Sequence, residues 1–234
     1  MTQMLPLILT DVAVRRGGQR IIGPITYTLG QGAPTMLIGP NGSGKTTLLR
    51  VMHGIERISK GKVAWINDAP DQQAFVFQSP IVLRRTVAEN LAYPLHLAGL
   101  DEINISARVI RWMRRISLTA FANTSATRLS GGERQKLAIA RALIRGPQVL
   151  FLDEPCANLD GHTTREIETL LSETAVAGTR LIMATHDMGQ ARRLAGDVIF
   201  MLNGKIHEHG AADYMFNKPQ SSELKSFLQG DIVT

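Results

Sequence analysis

The sequence has little of what would place it across a membrane or in an oxidising compartment. It contains a single cysteine, Cys156, so an internal disulfide is excluded and a reducing cytoplasm is expected. Charged residues interrupt every apolar run before it reaches the roughly 20 residues that cross a bilayer. The first residues, MTQMLPLIL, have no basic residue ahead of their apolar run, which argues against a secretory signal.

The composition is that of an ordinary soluble protein, with more basic than acidic residues. Hydrophobic residues make up 44% of the 234 residues, enough to bury a full core. Lysine and arginine number 26 against 20 aspartates and glutamates, a net charge of +6. This charge suits an anionic ligand, a nucleic acid or a negatively charged membrane leaflet, and a solvated basic surface would explain it equally well.

Short β-type runs alternate with helical patterns, which predicts an α/β fold with a mainly parallel sheet covered by helices. The first two runs, joined by RRGGQR, predict an antiparallel β hairpin, and Asn203-Gly204 predicts another near the end. From about residue 79 to 130 helical spacing takes over, at Val87–Ala98 and Ala107–Ile116. We interpret residues 1–234 as one domain with this helical subdomain inserted. The predicted strands are Leu7–Val14, Ile21–Leu29, Thr35–Ile38, Val63–Asn67, Ala74–Phe77, Val149–Leu152, Leu181–Thr185, Val198–Leu202 and Lys205–His209.

A glycine-rich segment follows the third of these runs. In MLIGPNGSGKTTLLRVM, residues 39–46 satisfy the pattern G-x-x-x-x-G-K-[ST]. Bare backbone at Gly42 and Gly44 lets N–H groups converge on phosphate oxygens, and the following helix adds its positive end. Lys45 would reach the β- and γ-phosphates, and the Thr46 hydroxyl would ligate Mg²⁺. The predicted nucleotide-binding residues are Gly39, Pro40, Asn41, Gly42, Ser43, Gly44, Lys45, Thr46 and Thr47.

Polar side chains end three other β-type runs. QVLFLDEP ends in Asp153, which would hold Mg²⁺ beside Thr46, and in Glu154, which would polarise an attacking water. Gln78 ends AFVFQ and His186 follows RLIMAT, at the sheet edge where ligands of open α/β sheets bind. Taken singly, Gln78 and His186 are explained equally well as hydrogen-bonded loop residues.

A serine and two glycines open the helical pattern RLSGGERQKLAIARAL. Glycine inside a helix costs about 1 kcal/mol relative to alanine, and a cap at Ser130 does not require both Gly131 and Gly132. A hydroxyl beside an unobstructed helix N terminus makes a second anion cradle. Nothing in the spacing places both cradles on one nucleotide within one chain, whereas two chains packed head to tail would bring each loop to the partner's cradle.

The order and spacing of these motifs resemble those of the nucleotide-binding subunits of ATP-binding-cassette transporters. The motifs are residues 39–46, Gln78, LSGGERQ at 129–135, LFLDEP, ANLD at 157–160 and His186. The resemblance covers nearly the whole chain. It implies the fold of that family, a P-loop NTPase core with an N-terminal antiparallel β subdomain and an inserted α-helical subdomain.

The resemblance also implies that a homodimer binds two ATP molecules, with Mg²⁺, between its subunits and hydrolyses them. Ser130, Gly131 and Gly132 of one copy would touch the γ-phosphate held by Lys45 of the other. The remaining implied roles are general base for Glu154, γ-phosphate sensor for His186, link between Mg²⁺ and the membrane partner for Gln78, and communication between the two sites for Asp160.

Two positions depart from the family pattern. The family often has an aromatic ring for adenine near Arg15 and Arg16, and neither residue is aromatic; a guanidinium plane would stack instead. The family's serine in SALD is Ala157 here. We interpret the neighbouring Cys156 as a small buried filler.

The resemblance points to a membrane importer as the partner. Transmembrane permease subunits would contact the segment from Gln78 to Arg85, holding the chain at the cytoplasmic face of the membrane, and a substrate-binding protein would act indirectly; no nucleic acid is expected. The ending FLQGDIV and the segment from His186 to Gly210 are most similar to tungstate or molybdate importers. Phosphate or polar amino acid import, and a soluble role in iron-sulfur assembly, remain alternatives.

Overall fold

The computed structural model describes residues 4–67, 69–231 and 233. Within these ranges the strands form a three-stranded and a six-stranded sheet. The strands are β1 (Leu7–Arg16), β2 (Gln19–Leu29), β3 (Thr35–Ile38), β4 (Lys60–Trp65), β5 (Gln73–Val76), β6 (Val149–Asp153), β7 (Arg180–Ala184), β8 (Asp197–Leu202) and β9 (Lys205–Ala211). The helices are α1 (Lys45–His53), α2 (Val87–Leu97), α3 (Glu102–Arg115), α4 (Gly131–Leu143), α5 (Gly161–Val176), α6 (Met188–Leu194), α7 (Ala212–Asn217) and α8 (Ser222–Gln229).

The larger sheet has the order β5-β6-β7-β3-β8-β9, and its pairs are parallel except for β8 with β9. Strands β3, β6 and β7 are buried along their whole length, as expected where both faces of a parallel sheet are covered. The smaller sheet has the order β2-β1-β4 and is antiparallel. The predicted fold class and both predicted hairpins are confirmed.

The helical segment between β5 and β6 differs from its prediction at one end. Helix α3 begins at Glu102, five residues before the predicted start, because the Asp101 side chain caps it by accepting a hydrogen bond from the Asn104 N–H at 3.0 Å. The first buried residue of this helix is Ile105, and Ile103 in the first turn is exposed and lies off the buried face. Four arginines lie on α3: Arg115 pairs with Glu173 at 2.8 Å, and the others, Arg108, Arg111 and Arg114, are exposed.

The core has two hydrophobic clusters. One includes α2 to α5 and β6, and the other includes α1, β1, β2 and the opposite side of β6. Cys156 packs against the first cluster, and burial raises the pKa of its thiol to about 11, so the thiol stays protonated at neutral pH. Of the helices in the described ranges, each is too short or too polar to cross a bilayer.

His53, at the end of α1, makes folding sensitive to acid. Its ring packs edge-on against Phe75 and Phe151 at 5.5 Å, its buried Nδ1 has no hydrogen-bond partner among the described residues, and burial lowers its pKa. The unfolded chain therefore binds a proton more readily than the folded chain, and stability falls as pH drops below about 6.5. We expect His53→Phe, which keeps the aromatic packing, to reduce this acid sensitivity in urea unfolding at pH 7.5 and 5. An identical pH dependence in both proteins would contradict the assignment.

Candidate functional site

The loop between β3 and α1 requires glycine at two positions. A Cβ at Gly39 would lie 2.2 Å from the Met201 carbonyl oxygen, and one at Gly44 would lie 2.4 Å from Ile22 Cγ2. Both glycines also have positive φ, 144° and 100°. Gly42 differs, since a Cβ there would meet nothing within 4 Å. The loop is thus packed against the protein at its two ends and open at its tip.

Lys45 is folded into this loop. Its Nζ donates to the carbonyl oxygens of Gly39 at 2.8 Å and Pro40 at 3.1 Å, and the residue is 6% exposed. Burial lowers the pKa of Lys45, and the nearby carboxylates of Glu154 and Asp153 partly oppose this shift. The loop therefore presents a buried cation that gains from any further negative charge brought to it.

A second polar group in the loop lacks a partner. The Ser43 hydroxyl is buried and has no hydrogen bond to any residue that the structure describes. Buried polar groups are rarely left in this state unless a ligand or water completes them. Of the other predicted nucleotide-binding residues, Asn41 is exposed at the loop tip and Thr47 is buried in the first turn of α1.

A hydroxyl and a carboxylate meet beside the loop. Thr46 Oγ1 donates to Asp153 Oδ1 at 2.8 Å, and Arg50 Nη2 lies 3.6 Å from Asp153 Oδ2. Burial raises the pKa of Asp153, while the Thr46 hydrogen bond and the Arg50 charge act in the opposite direction. The Thr46 hydroxyl and the Asp153 carboxylate are hard oxygen ligands of the type that Mg²⁺ prefers. Arg50 was not anticipated from the sequence, although it lies one turn beyond Thr46 on α1.

Glu154 is held between two polar side chains from neighbouring strands. Gln78 Nε2 donates to Glu154 Oε2 at 3.1 Å, and His186 Nδ1 lies 3.0 Å from the same oxygen. Glu154 has a positive φ of 47°, and its N–H donates to the Ala184 carbonyl oxygen at 2.9 Å. Because β5, β6, β7 and β3 are neighbours in that order, their C-terminal ends bring Gln78, Asp153, Glu154, His186 and the Lys45 loop to one edge of the sheet.

The second predicted cradle lies apart from this edge. Ser130 caps α4 in a capping box: its Oγ accepts from the Glu133 N–H at 3.3 Å, and its N–H donates to Glu133 Oε2 at 2.7 Å. In the described part of the chain, no hydrogen bond or ion pair joins Ser130, Gly131, Gly132 or Asp160 to the Lys45 loop.

Two contacts at this second cradle were not anticipated from the sequence. A Cβ at Gly131 would meet nothing within 4 Å, but one at Gly132 would lie 2.8 Å from Thr163 Cγ2. Asp160 caps α5, and hydrogen bonds from the backbone N–H and hydroxyl of Thr163 lower its pKa. The sequence does not show that Gly132 is closely packed while Gly131 is open, or against which residue Gly132 packs.

Near the expected adenine position, the Arg16 guanidinium contacts the Glu56 carboxylate and is about half exposed. Arg15 is exposed. Stacking of either guanidinium on adenine stays a prediction.

Comparisons with known proteins agree with this geometry. The sequence profile of the family described as ABC transporter matches residues 22–157. The chain is 37% identical over 205 residues to the tungstate uptake system ATP-binding protein TupC of Peptoclostridium acidaminophilum, covering 86% of this chain and 94% of that protein. It is 32% identical over 234 residues to a probable sulfate/thiosulfate import ATP-binding protein of Chlorella vulgaris, covering 96% and 99%.

A solved structure is also similar. It is the dimeric structure of a post-hydrolysis state of an ATP-binding cassette bound to ADP and Pi, with a TM-score of 0.78, 25% identity, and coverage of 88% of this chain and 98% of that one. The family profile spans more than half of the chain, and the relatives align over nearly their full length. The chain therefore belongs to the ABC transporter family and is an ATP-hydrolysing subunit of an ABC importer.

Proposed function

We propose that this subunit powers the import of an oxyanion, with tungstate or molybdate as the leading candidates. The relatives named above for tungstate and for sulfate or thiosulfate support an oxyanion. The observation that carries the ATPase role is the Glu154 carboxylate, held by Gln78 and His186 at the sheet edge where the Lys45 loop ends.

The site residues divide the chemistry between binding and proton transfer. Lys45, the loop N–H groups and the Ser43 hydroxyl bind the phosphates of ATP. Thr46, Asp153 and Gln78 would hold Mg²⁺, which supplies neutralisation of phosphate charge when bound. Glu154 accepts the proton of the attacking water as general base. His186, hydrogen-bonded to Glu154, orients that carboxylate and senses the γ-phosphate.

Each ATP is completed by a second copy of the chain. Among the described residues, no hydrogen bond or ion pair joins Ser130, Gly131, Gly132 or Asp160 to the Lys45 loop, and a Cβ at Gly131 would meet nothing within 4 Å. A head-to-tail homodimer places this cradle on the partner's γ-phosphate. The similar dimeric structure with ADP and Pi supports a dimer.

The dimer converts nucleotide binding into motion. A γ-phosphate contacted by both chains contributes binding energy only when the dimer is closed, so ATP shifts the equilibrium toward the closed form. Shifting the equilibrium between open and closed dimer from 1:99 to 99:1 requires ATP to bind the closed form more tightly by about 5.5 kcal/mol. Several charge-assisted hydrogen bonds at roughly 1.5 to 3 kcal/mol each are sufficient. Hydrolysis then removes the difference and the dimer opens.

An apolar groove next to Gln78 fits a permease. Its lining includes Phe77 and the apolar side chains of the segment that follows Gln78, and Ile81 is 56% exposed there. An inserted helix of the permease would cover these side chains and place the chain at the cytoplasmic face of the membrane. The groove is lined by Ala74, Phe75, Val76, Phe77, Ile81, Leu83, Tyr93, Pro94, Leu97, Ala138, Arg141 and Ala142.

A charge in this groove is expected to abolish permease binding. We predict that Ile81→Asp loses copurification with the permease because a carboxylate would be desolvated at the interface, while ATP binding stays at the wild-type level. Ile103→Asp is the matched control, since Ile103 is 83% exposed and lies outside the groove. Copurification of Ile81→Asp at the wild-type level would contradict the assignment, and copurification of the wild type with soluble partners alone would favour a role such as iron-sulfur assembly.

The substrate is tested in a reconstituted transporter. The chain, its permease and its binding protein are placed in vesicles, and ATP hydrolysis is measured with tungstate, molybdate, sulfate, phosphate or a polar amino acid. Stimulation by tungstate or molybdate above the others is expected. Stimulation by sulfate or phosphate alone would contradict tungstate and molybdate but not an oxyanion, whereas stimulation by the amino acid alone would contradict the substrate proposal; either result leaves the ATPase role intact.

A further inference from the structure

The two glycines at the start of α4 are required for different reasons. A Cβ at Gly131 would meet nothing within 4 Å, so no described residue of the chain requires a glycine there. A Cβ at Gly132 would lie 2.8 Å from Thr163 Cγ2 and 3.2 Å from Thr163 Oγ1, and carbon atoms do not approach that closely. Gly132 is therefore required by a neighbour in its own chain, 31 residues later.

Thr163 cannot easily move out of the way. Its hydroxyl donates to Asp160 Oδ2 at 2.8 Å, and its N–H donates to Asp160 Oδ1 at 2.9 Å. Threonine is stiff at χ1, and the hydroxyl bond selects one rotamer. Turning the methyl away from Gly132 would break the hydroxyl bond to Asp160. One side chain thus contacts both the start of α4 and the carboxylate that caps α5.

A second contact joins the same two helices one turn further along. Lys136 Nζ donates to Glu166 Oε2 at 3.0 Å, and the Lys136 side chain is only 12% exposed. The first two turns of α4 and α5 are thus joined by the close packing of the Thr163 methyl beside Gly132 and by an ion pair. Both contacts lie beside the groups expected to face the partner chain.

We propose that Thr163 is a positioning residue, whose hydroxyl fixes the Asp160 carboxylate while its methyl packs beside Gly132 at the start of α4. The Asp160 carboxylate and the start of α4 then meet the partner's nucleotide as one rigid edge. This inference rests on the proposed function, because the edge acts only where a second copy brings ATP to it.

The contact between the Thr163 methyl and Gly132 is tested by asking whether a second substitution restores the activity that a first one removes. Gly132→Ala is expected to lower kcat about tenfold, although alanine favours a helix over glycine. Gly132→Ala with Thr163→Ser removes the clashing methyl and keeps the hydroxyl, so we expect kcat to recover at least half of the wild-type value. Gly131→Ala is the matched control: Thr163→Ser should not change its activity.

The hydroxyl is tested by a pair of single substitutions. Thr163→Val keeps the shape but loses the bond to Asp160, and is expected to lower kcat about tenfold. The KM for ATP should stay within about twofold, since the Lys45 loop is untouched. Thr163→Ser keeps the hydroxyl and should stay near the wild-type kcat. A purely structural role would instead lower the urea midpoint of Thr163→Val without a selective loss of kcat.

Two results would overturn the proposal: wild-type kcat in Thr163→Val, or no recovery of Gly132→Ala on adding Thr163→Ser. The urea concentration at which half of the protein is unfolded, measured without nucleotide, distinguishes a failure of the Thr163 proposal from a failure of the proposed function. Gly132→Ala should lower that midpoint and Thr163→Ser should restore it, even in a chain that hydrolyses no ATP. Restored midpoint without restored kcat in an active protein means that the contact is structural only and overturns the positioning role.

Discussion

Glu154→Gln is expected to lower ATP turnover by at least about 100-fold while ATP binding stays near the wild-type level. The carboxamide has the shape of the carboxylate and can still accept a hydrogen bond, so the contacts with Gln78 and His186 are not all lost. It cannot take a proton from water at neutral pH. ATP therefore remains uncleaved between two copies, and closed dimers accumulate.

Three measurements check this expectation: phosphate release, nucleotide affinity, and the mass of the protein in solution with and without ATP. The matched control is Glu173→Gln, which removes an exposed carboxylate that pairs with Arg115 away from the sheet edge, and it should leave turnover unchanged. A Glu154→Gln protein that stays monomeric with ATP and turns over at the wild-type rate would show that Glu154 is not the base.

Gly131→Trp is expected to reduce turnover by roughly two orders of magnitude, comparable to losing preorganised donors in other sites. We expect this loss because the new side chain would clash with the partner chain, not with the chain that carries it. A Cβ at Gly131 meets nothing within 4 Å, and tryptophan is a better helix residue than glycine, so the fold should be retained. The indole would instead occupy the space where the partner's γ-phosphate and loop are expected.

Gly30→Trp is the matched control for this variant. Gly30 is also exposed, also lacks a positive φ, and also has nothing within 4 Å of a built Cβ, but it directly follows β2. Its turnover should equal that of the wild type. Gly131→Trp with normal turnover and normal ATP-driven pairing would show that the second cradle does not face a nucleotide.

Much of the fold and of the sheet edge could be predicted from sequence because the signals are local. The Lys45 loop combines strand, glycine turn and helix within 17 residues, and polar side chains that end parallel strands meet at one edge. The predicted start of α3 is too late because Ile103, the apolar residue of its first turn, is exposed and out of phase with the buried residues that begin at Ile105.

Two features of the second cradle could not be derived in the same way. Gly132 and Thr163 lie on different helices, and only their distance shows that one requires the other. The separation of Ser130 from the Lys45 loop is a property of the folded chain, and the spacing of the motifs left it open. Both features depend on tertiary packing rather than on any local pattern.

The central claim is that two chains share each ATP, and a mixing experiment tests it most directly. One chain carries Lys45→Ala, the other Gly131→Trp, and both also carry Glu154→Gln so that closed pairs accumulate. Each protein alone lacks a complete site and should remain monomeric with ATP. A mixed pair contains one intact site, made by the loop of the Gly131→Trp chain and the cradle of the Lys45→Ala chain.

Light scattering with ATP distinguishes the outcomes. The account predicts that a dimer appears only when the two proteins are mixed, and that it contains one of each. No dimer on mixing, or a dimer formed by either protein alone, would contradict the sharing of ATP between chains.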